Sequence, residues 1–169
     1  MDPAAAWLAE RLGVELSDAG LLGRALTHRS HGASNNERLE YLGDAVLNFV
    51  VAEMLYRAFP EATEGELSRF RASLVSGEAL AAMAADLGIG QRLLLGEGEM
   101  KSGGQRRATI LADALEAVLG AVYVSAGMNE AHDLVMRLLG SRVAEAHAGG
   151  PGGQDYKSRL QELSARHFD

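Results

Sequence analysis

Residues 36–47 read NERLEYLGDAVL and open a strong helical pattern. We predict a helix over residues 37–59, ended by the proline that follows, because a proline ring cannot continue a helix. The acidic residues Glu37, Glu40 and Asp44 are spaced by three and four positions, so they share one helix face within roughly 60°. The apolar residues of the segment are expected on the opposite, buried face: Leu39, Leu42, Val46, Phe49 and Val50.

A second segment, residues 108–129, is apolar nearly all round and carries only two charged residues, Asp113 and Glu116. This pattern indicates a buried helix with both carboxylates on one face. Burying a carboxylate costs several kcal/mol unless it is paired or holds a metal ion, and adjacent carboxylates repel each other. A divalent cation would relieve both costs. The structural alternative is that one acid pairs with Arg106 or Arg107, or caps a neighbouring backbone.

Packing of these two helices would form an all-oxygen site from Glu40, Asp44, Asp113 and Glu116. The chain has no cysteine, and neither segment has a histidine, so the donor set favours Mg²⁺, or Mn²⁺ as a substitute, over Zn²⁺. Such sites usually perform phosphoryl chemistry, because the metal keeps positions open for phosphate oxygens and water. An ordinary amphipathic helix with a solvated acidic face remains the alternative for the first segment.

Helical periodicity fills the rest of the chain and strand patterns are scarce, so we predict an all-α fold. Residues 28–36 read as a loop and residues 96–104 as a glycine-rich connection. Thr63 and Glu66 form a capping box, and Ser17 is the expected N-cap of an earlier helix. The further helices are predicted at residues 4–12, 17–27, 63–75, 77–87, 108–126 and 129–147.

The composition bounds the class of protein. The 169 residues, 47% of them apolar, suffice for one globular domain. A net charge of −7 by itself argues against a nucleic-acid binder, although a nuclease that holds Mg²⁺ between itself and phosphates can be acidic. The N-terminus lacks a signal-peptide pattern, and the one long apolar segment, residues 108–128, carries two acids. We therefore expect a cytoplasmic protein that is not attached to a membrane.

Several sequence blocks together resemble one family. Residues 36–47 are similar to the signature motif of the ribonuclease III family. Three further blocks agree in the family's order, namely THRS at residues 27–30, EGELSR with Arg71-Ala72 at residues 64–72, and ILADALEA at residues 110–117. The glycine-rich LGEGE at residues 95–99 and SGG at residues 102–104 also fit. The resemblance covers roughly residues 5–147.

The resemblance implies the all-helical ribonuclease III endonuclease fold. It also implies a homodimer that cuts double-stranded RNA with a divalent metal, leaves 5′-phosphate and 3′-hydroxyl ends, and takes part in rRNA and mRNA processing. Tyr41, where the family usually has phenylalanine, matches a dimer contact. Glu37 and Glu64 match accessory acidic positions near the site. The metal-binding catalytic carboxylates are matched by Glu40, Asp44, Asp113 and Glu116.

The chain divides at a linker. Residues 148–154 read AGGPGGQ, a composition typical of flexible connections, and follow a catalytic domain predicted at residues 1–147. Residues 155–162 read DYKSRLQE and resemble the start of the double-stranded RNA-binding domain that follows in this family. We therefore predict that residues 155–169 are the first helix of a truncated domain of that type.

Two other function classes fit parts of the sequence. A helical metal phosphohydrolase could use the pair His132 and Asp133, with His28 and His31 upstream. A non-enzymatic RNA-binding or protein-interaction module would be favoured if the four carboxylates were lost, and all four are present. The candidate phosphate contacts in the sequence are the following arginines: Arg24, Arg29, Arg69, Arg71, Arg106 and Arg107.

Overall fold

The computed structural model describes residues 2–147, so the predicted linker and the helix after it lie outside the described residues. The described part contains eight α-helices and two 3₁₀ turns, at Ile89–Arg92 and Gly104–Arg106. One short helix, α6, lies within the connection that we expected to be irregular. The α-helices are α1 (Pro3–Leu12), α2 (Ala19–Ala25), α3 (Glu37–Ala58), α4 (Glu64–Leu74), α5 (Gly77–Asp86), α6 (Glu97–Lys101), α7 (Ala108–Ala126) and α8 (Met128–His147).

The all-α prediction is confirmed, since residues 2–147 contain no strand. A single isolated parallel bridge joins Thr27 to Leu94. There the backbone N–H of His28 donates to the Leu94 carbonyl at 3.0 Å, and the Leu94 N–H donates to the Leu26 carbonyl at 2.8 Å. The bridge fixes the loop before α3 against the segment that leads into α6.

Helix α7 is the centre of the fold. It packs most extensively against α3 and also contacts α5, α8 and α2, as an apolar surface nearly all round requires. By length and composition α7 could cross a membrane, but most of its apolar window is buried inside the protein. Its two carboxylates, Asp113 and Glu116, lie on a half-buried face. We therefore read α7 as a core helix.

Most helix ends follow the predicted signals, but neither end of α2 does. The capping box is present: the Thr63 N–H donates to Glu66 Oε2 at 2.8 Å, and the Glu66 N–H donates to Thr63 Oγ1 at 3.3 Å. The prediction that Ser17 caps the second helix is wrong. Asp18 is the N-cap, because its carboxylate accepts the Gly20 N–H at 2.9 Å, while the Ser17 hydroxyl faces that of Ser125.

Helix α2 also ends two residues earlier than predicted. The Thr27 side chain donates to the Gly23 carbonyl at 2.7 Å, and the Thr27 backbone carbonyl accepts the Asn36 N–H at 2.9 Å. These bonds, with the bridge to Leu94, hold Thr27 and its two neighbours outside the helix. The tertiary bridge therefore overrides the local helical pattern at this position.

The face of α3 that we predicted to be buried includes Leu42, which is half-buried, and Phe49, which is exposed. Phe49 is 58% exposed, whereas Leu39, Val46 and Val50 are buried. Phe49 lies eight residues after Tyr41 and therefore within roughly 80° of it around the helix. Tyr41 and Tyr56 are also highly exposed, at 82% and 73%. Helix α3 therefore presents an aromatic stripe to solvent, made of Tyr41, Phe49 and Tyr56.

Candidate metal centre

Helices α3 and α7 touch backbone to backbone at a pair of glycines. A Cβ on Gly120 would overlap the carbonyl oxygen of Leu39 and lie 3.2 Å from the Gly43 nitrogen. No side chain larger than hydrogen therefore fits at the crossing. This close approach brings the acidic face of α3 directly onto the acidic face of α7.

Three carboxylates meet beside this crossing. Glu40 of α3 and both Asp113 and Glu116 of α7 have carboxylate oxygens that all lie within 4.8 Å of one another. Asp44, one turn further along α3, joins them through a hydrogen bond that its carboxyl shares with that of Glu116. The Asn48 side chain donates to Asp44 Oδ1 at 3.1 Å and holds it in place. Of the four carboxylates that the sequence singled out, the structure thus places three within reach of one cation and the fourth, Asp44, beside Glu116.

The cluster is electrostatically unfavourable as it stands. Partial burial raises the pKa of Glu116 to about 8, and the neighbouring Asp44 charge contributes next. Burial also raises the pKa of Glu40, followed by the charge of Asp113. The pKa of Asp113 is raised by burial, and the nearby His28 partly offsets that rise. With their pKa values raised, these carboxyls tend to keep their protons, because several adjacent negative charges would repel one another. A divalent cation could replace the protons that they retain.

The donor set fits Mg²⁺ or Mn²⁺. All the clustered donors are carboxylate oxygens, which hard divalent cations prefer. The structural alternative, in which Arg106 or Arg107 neutralises one acid of α7, is not what the described residues show. Arg107 instead forms an ion pair with Glu99, and its second guanidinium nitrogen lies 3.3 Å from Ser102 Oγ.

A polar cavity of about 400 Å³ opens beside the cluster. Its lining includes Glu40 and Asp113 of the cluster and the basic side chains of Arg29 and Arg107. Glu37 also lines the cavity and pairs with Arg29 at 3.8 Å, but it is not among the clustered carboxylates. The cavity therefore places cationic side chains next to a cation site, an arrangement suited to a phosphate-bearing ligand.

Glu64 and Tyr41 lie apart from the cluster within one chain. Glu64 is in the first turn of α4, where it accepts a hydrogen bond from the Ser68 hydroxyl at 2.8 Å. It lines a separate groove together with Phe49 and Tyr56 of the aromatic stripe. Tyr41 is on the exposed side of α3, between the cluster-facing Glu40 and the buried Gly43.

The His132–Asp133 pair, which suggested a phosphohydrolase, does not share a site with His28. His132 Nε2 lies 3.6 Å from Glu53 Oε1, and its Nδ1 lies 3.7 Å from Asp133 Oδ1. His132 lines a groove between α3 and α8, whereas His28 lines the carboxylate cavity. The geometry thus favours the carboxylate cluster as the chemical centre.

Sequence reasoning missed several residues that shape the site. Gly43 and Gly120, which let the helices touch, stand inside helical patterns where a glycine gives no periodic signal. His28 and Glu99 line the cavity although no spacing rule connects them to the acids. The one signal that could have found His28 is its place in the THRS block.

Comparisons with known proteins show the family to which this chain is related. A family model described as Ribonuclease-III-like matches residues 18–142. A protein named Ribonuclease 3 from Thiobacillus denitrificans is 56% identical over 156 residues, which are 92% of this chain and 69% of that protein. Another of the same name from Coxiella burnetii is 54% identical over 160 residues, 94% of this chain and 68% of that protein.

Solved structures give the same result. A structure of the nuclease domain of ribonuclease III from Campylobacter jejuni, described for flexibility in a region involved in dimer formation, superposes with a TM-score of 0.78. The two sequences are 43% identical, and the match covers 80% of this chain and 95% of that one. A second structure of the same domain matches with a TM-score of 0.78 and 42% identity, over 84% of this chain and 97% of that one.

Proposed function

The chain belongs to the ribonuclease III family and is an endoribonuclease, and from that premise we propose that it hydrolyses double-stranded RNA with Mg²⁺ at the carboxylate cluster. The observation that carries the proposal is the convergence of Glu40, Asp44, Asp113 and Glu116 where α3 and α7 touch. Mn²⁺ can substitute for Mg²⁺, since both accept carboxylate ligands. The products carry 5′-phosphate and 3′-hydroxyl ends, and the RNAs processed include rRNA and mRNA.

Each side chain has a distinct part in this chemistry. Glu40, Asp113 and Glu116 would hold the cation, and Asp44, oriented by Asn48, would add a fourth carboxylate beside Glu116 once the cation has displaced the proton that the two now share. A bound Mg²⁺ supplies Lewis-acid polarisation of the phosphate and lowers the pKa of water. Arg29 and Arg107 face the cavity that receives the RNA backbone, and their charges stabilise the phosphate oxygens.

The test of this function is cleavage of a long RNA duplex with Mg²⁺, with Mn²⁺ and with excess chelator. We expect cleavage with either metal and none with chelator, and little cleavage of single-stranded RNA or of a DNA duplex. A DNA duplex is the matched control because it also carries one charge per phosphate but lacks the 2′-hydroxyls and A-form groove by which RNA duplexes are recognised. Undiminished cleavage in chelator would exclude a metal mechanism.

We further propose that two chains form an isologous homodimer through the aromatic stripe of α3. Three large aromatic rings exposed on one helix, beside a groove lined by Phe49, Tyr56 and residues of α4, form a surface that a second copy could cover. Two cation sites in such a dimer would act on opposite strands of one duplex. Staggered cuts with a short 3′ overhang would result.

The remaining predictions concern the residues beyond the described part and the cellular setting. We propose that residues 148–154 are a linker and that residues 155–169 begin a double-stranded RNA-binding domain. Such a domain recognises an RNA duplex largely by shape, across minor grooves and phosphates. We also propose that the protein acts in the cytoplasm, where rRNA and mRNA precursors are available. A salt titration of duplex binding with and without residues 155–169 tests the role of that segment.

A further inference from the structure

Asn36, the residue just before α3, is 3% exposed and lines the polar cavity beside the carboxylate cluster. An asparagine in this position usually caps the helix, because its side-chain oxygen accepts an N–H of the first turn. Asn36 makes no such bond, and the Glu37 N–H donates instead to the side-chain oxygen of Asn35 at 3.1 Å. The buried side chain of Asn36 therefore lacks the capping role that its position predicts.

The amide of Asn36 has one fixed orientation. Its nitrogen Nδ2 donates to the Ala25 carbonyl at 3.2 Å, and because a carbonyl can only accept, the oxygen Oδ1 must be the other end of the amide. Within residues 2–147 no hydrogen bond to Oδ1 is present, and the one fully enclosed side-chain polar atom without a partner there is Gln105 Oε1. Oδ1 of Asn36 is therefore an unused acceptor that is open to the cavity.

The other acceptors of the cavity are already in use. Its four carboxylates are occupied by arginines or by the proposed cation: Glu37, Glu99, Glu40 and Asp113. The imidazole of His28 accepts the Ser30 N–H at 3.1 Å through Nδ1. The hydroxyl of Thr109 can donate to a phosphate as readily as it can accept. Among the described side chains that line the cavity, Oδ1 of Asn36 is thus the one group that can only accept and has no donor.

An RNA backbone offers such an acceptor one kind of donor. The oxygens of its phosphates and sugar rings only accept, whereas each 2′-hydroxyl can both donate and accept. The arginines of the cavity, Arg29 and Arg107, attract phosphates, and each phosphate brings its adjoining riboses with it. The donor that complements Oδ1 of Asn36 is therefore a ribose 2′-hydroxyl.

We propose that Asn36 is a specificity-determining residue, whose Oδ1 accepts a hydrogen bond from the 2′-hydroxyl of a nucleotide next to the scissile phosphate. The inference rests on the proposed cleavage of duplex RNA at the carboxylate cluster. A deoxyribose in the same place lacks the donor and leaves a buried acceptor without a partner, which costs more than the hydrogen bond itself contributes. The catalytic domain therefore selects RNA over DNA at the position of the chemistry.

The experiment uses one short RNA duplex with a mapped cleavage site and single 2′-deoxy or 2′-fluoro nucleotides on either side of the cut. A 2′-fluoro group removes the donor but keeps the sugar pucker of A-form RNA, so it separates the hydrogen bond from the shape of the duplex. With wild-type protein we expect both substitutions to lower kcat/KM by about 5-fold or more at one nucleotide, because the buried acceptor loses its partner. Substitution at the other positions should change kcat/KM little.

Variants of the protein identify the group that reads this nucleotide. Asn36→Ala should cleave the unmodified and the 2′-fluoro duplex at equal, reduced rates. Asn35→Ala is the matched control, because both ends of the Asn35 amide are bonded within the chain and it does not line the cavity. It should keep the full 2′-fluoro penalty. Thr109→Val removes the other available hydroxyl, at an exposed position in the first turn of α7, and should also keep the penalty.

Other outcomes would overturn the inference. An undiminished 2′-fluoro penalty in Asn36→Ala would leave Asn36 only its structural bond to Ala25, and loss of the penalty in Thr109→Val would assign the contact to Thr109. If Asn36→Ala does not fold, the other proteins decide. A penalty that Thr109→Val and Asn35→Ala both keep supports Asn36, and its absence in the wild type overturns the inference. Failure of the proposed function looks different, since the wild-type protein would then not cut even the unmodified duplex.

Discussion

Gly43 of α3 lies against the backbone carbonyl of Glu116 of α7. A Cβ on residue 43 would overlap that oxygen and lie 2.9 Å from the Gly120 nitrogen. Both obstacles are helix backbone, so neither can move aside as the end of a flexible side chain could. A glycine inside a helix costs up to about 1 kcal/mol relative to alanine. At position 43 the glycine allows the close contact between α3 and α7, and this contact sets the distance between Glu40 and Glu116.

We expect Gly43→Ala to push α3 and α7 apart and separate the carboxylates. A displacement near 1 Å at a catalytic constellation can cost about 100-fold in rate, so cleavage should fall by at least that factor, with a lower midpoint of thermal unfolding. Gly23→Ala is the control. Gly23 is inside α2 with open space around its Cβ position, so alanine there should be neutral or stabilising. A Gly43→Ala protein with wild-type turnover would disprove the role of this contact.

Glu116→Gln should abolish cleavage and leave fold and duplex binding intact. The substitution keeps the side chain's size but removes the charge that holds the cation, and it relieves repulsion from Asp44. The metal-free variant should therefore unfold at a temperature equal to or above that of wild type. Glu78→Gln, at an exposed position of α5, should cleave normally. Near-normal turnover of Glu116→Gln at low Mg²⁺ would contradict the assignment.

Metal-free protein should lose stability as the pH rises from about 4.5 to about 8. The pKa of Glu116 is raised from 4.5 to about 8, so between these values the folded state binds more protons than the unfolded state. The free energy of unfolding then decreases with pH. Above that window the carboxylate is charged and unpaired, and Mg²⁺ should stabilise the fold most. The measurement is the midpoint of thermal unfolding across this pH range, with Mg²⁺ and with chelator. In Glu116→Gln the stability of the metal-free protein should depend less on pH.

The sequence predicted the long helices and singled out the four carboxylates, because two acids on an otherwise apolar helix stand out and their spacing fixes their face, but it did not predict α6. It could not predict the crossing of Gly43 with Gly120, since a small residue inside a helix has no period and its partner is distant in the chain. The prediction that Phe49 is buried was wrong for a related reason. It lies at the edge of the apolar face, where only the neighbouring helices decide whether a side chain is covered.

The N-cap of α2 shows that prediction from sequence has the same limit at short range. Ser17 and Asp18 are both good N-cap residues, and the sequence offers no basis for choosing the adjacent one. The structure selects Asp18 because its carboxylate reaches the Gly20 N–H. Ser17 is instead taken up by a contact with Ser125 of α7. Tertiary contacts therefore decide between two locally equivalent signals.

Phe49→Arg should convert the proposed dimer into a monomer. The substitution puts a charge into the centre of the aromatic stripe, between Tyr41 and Tyr56, where covering by a second copy would bury it without a partner. Light scattering at micromolar concentration should show the mass of one chain, and cutting of both strands at one position should be lost. Val124→Arg, at an exposed apolar position of α7, is the control. A wild-type monomer that still cuts both strands would contradict the dimer.

Binding of RNA by this acidic chain should depend on a few basic side chains, and Arg107 should be one of them. Of the six candidate arginines, only Arg29 and Arg107 line the carboxylate cavity. Arg107 is held there by its ion pair with Glu99 and by Ser102. Arg106 is its neighbour, exposed and outside the cavity, and therefore serves as the matched control.

The measurement is duplex affinity across a salt series, in a Glu116→Gln background so that the RNA is not cut. Each phosphate contact adds about 0.9 to the slope of log affinity against log salt for duplex DNA, and a comparable value is expected for duplex RNA. Arg107→Ala should lower the slope by about one such unit, whereas Arg106→Ala should leave it unchanged. Glu99→Gln should give an intermediate affinity, because Arg107 keeps its charge but loses its orientation. Equal slopes for Arg107→Ala and its parent would show that this arginine does not contact phosphate.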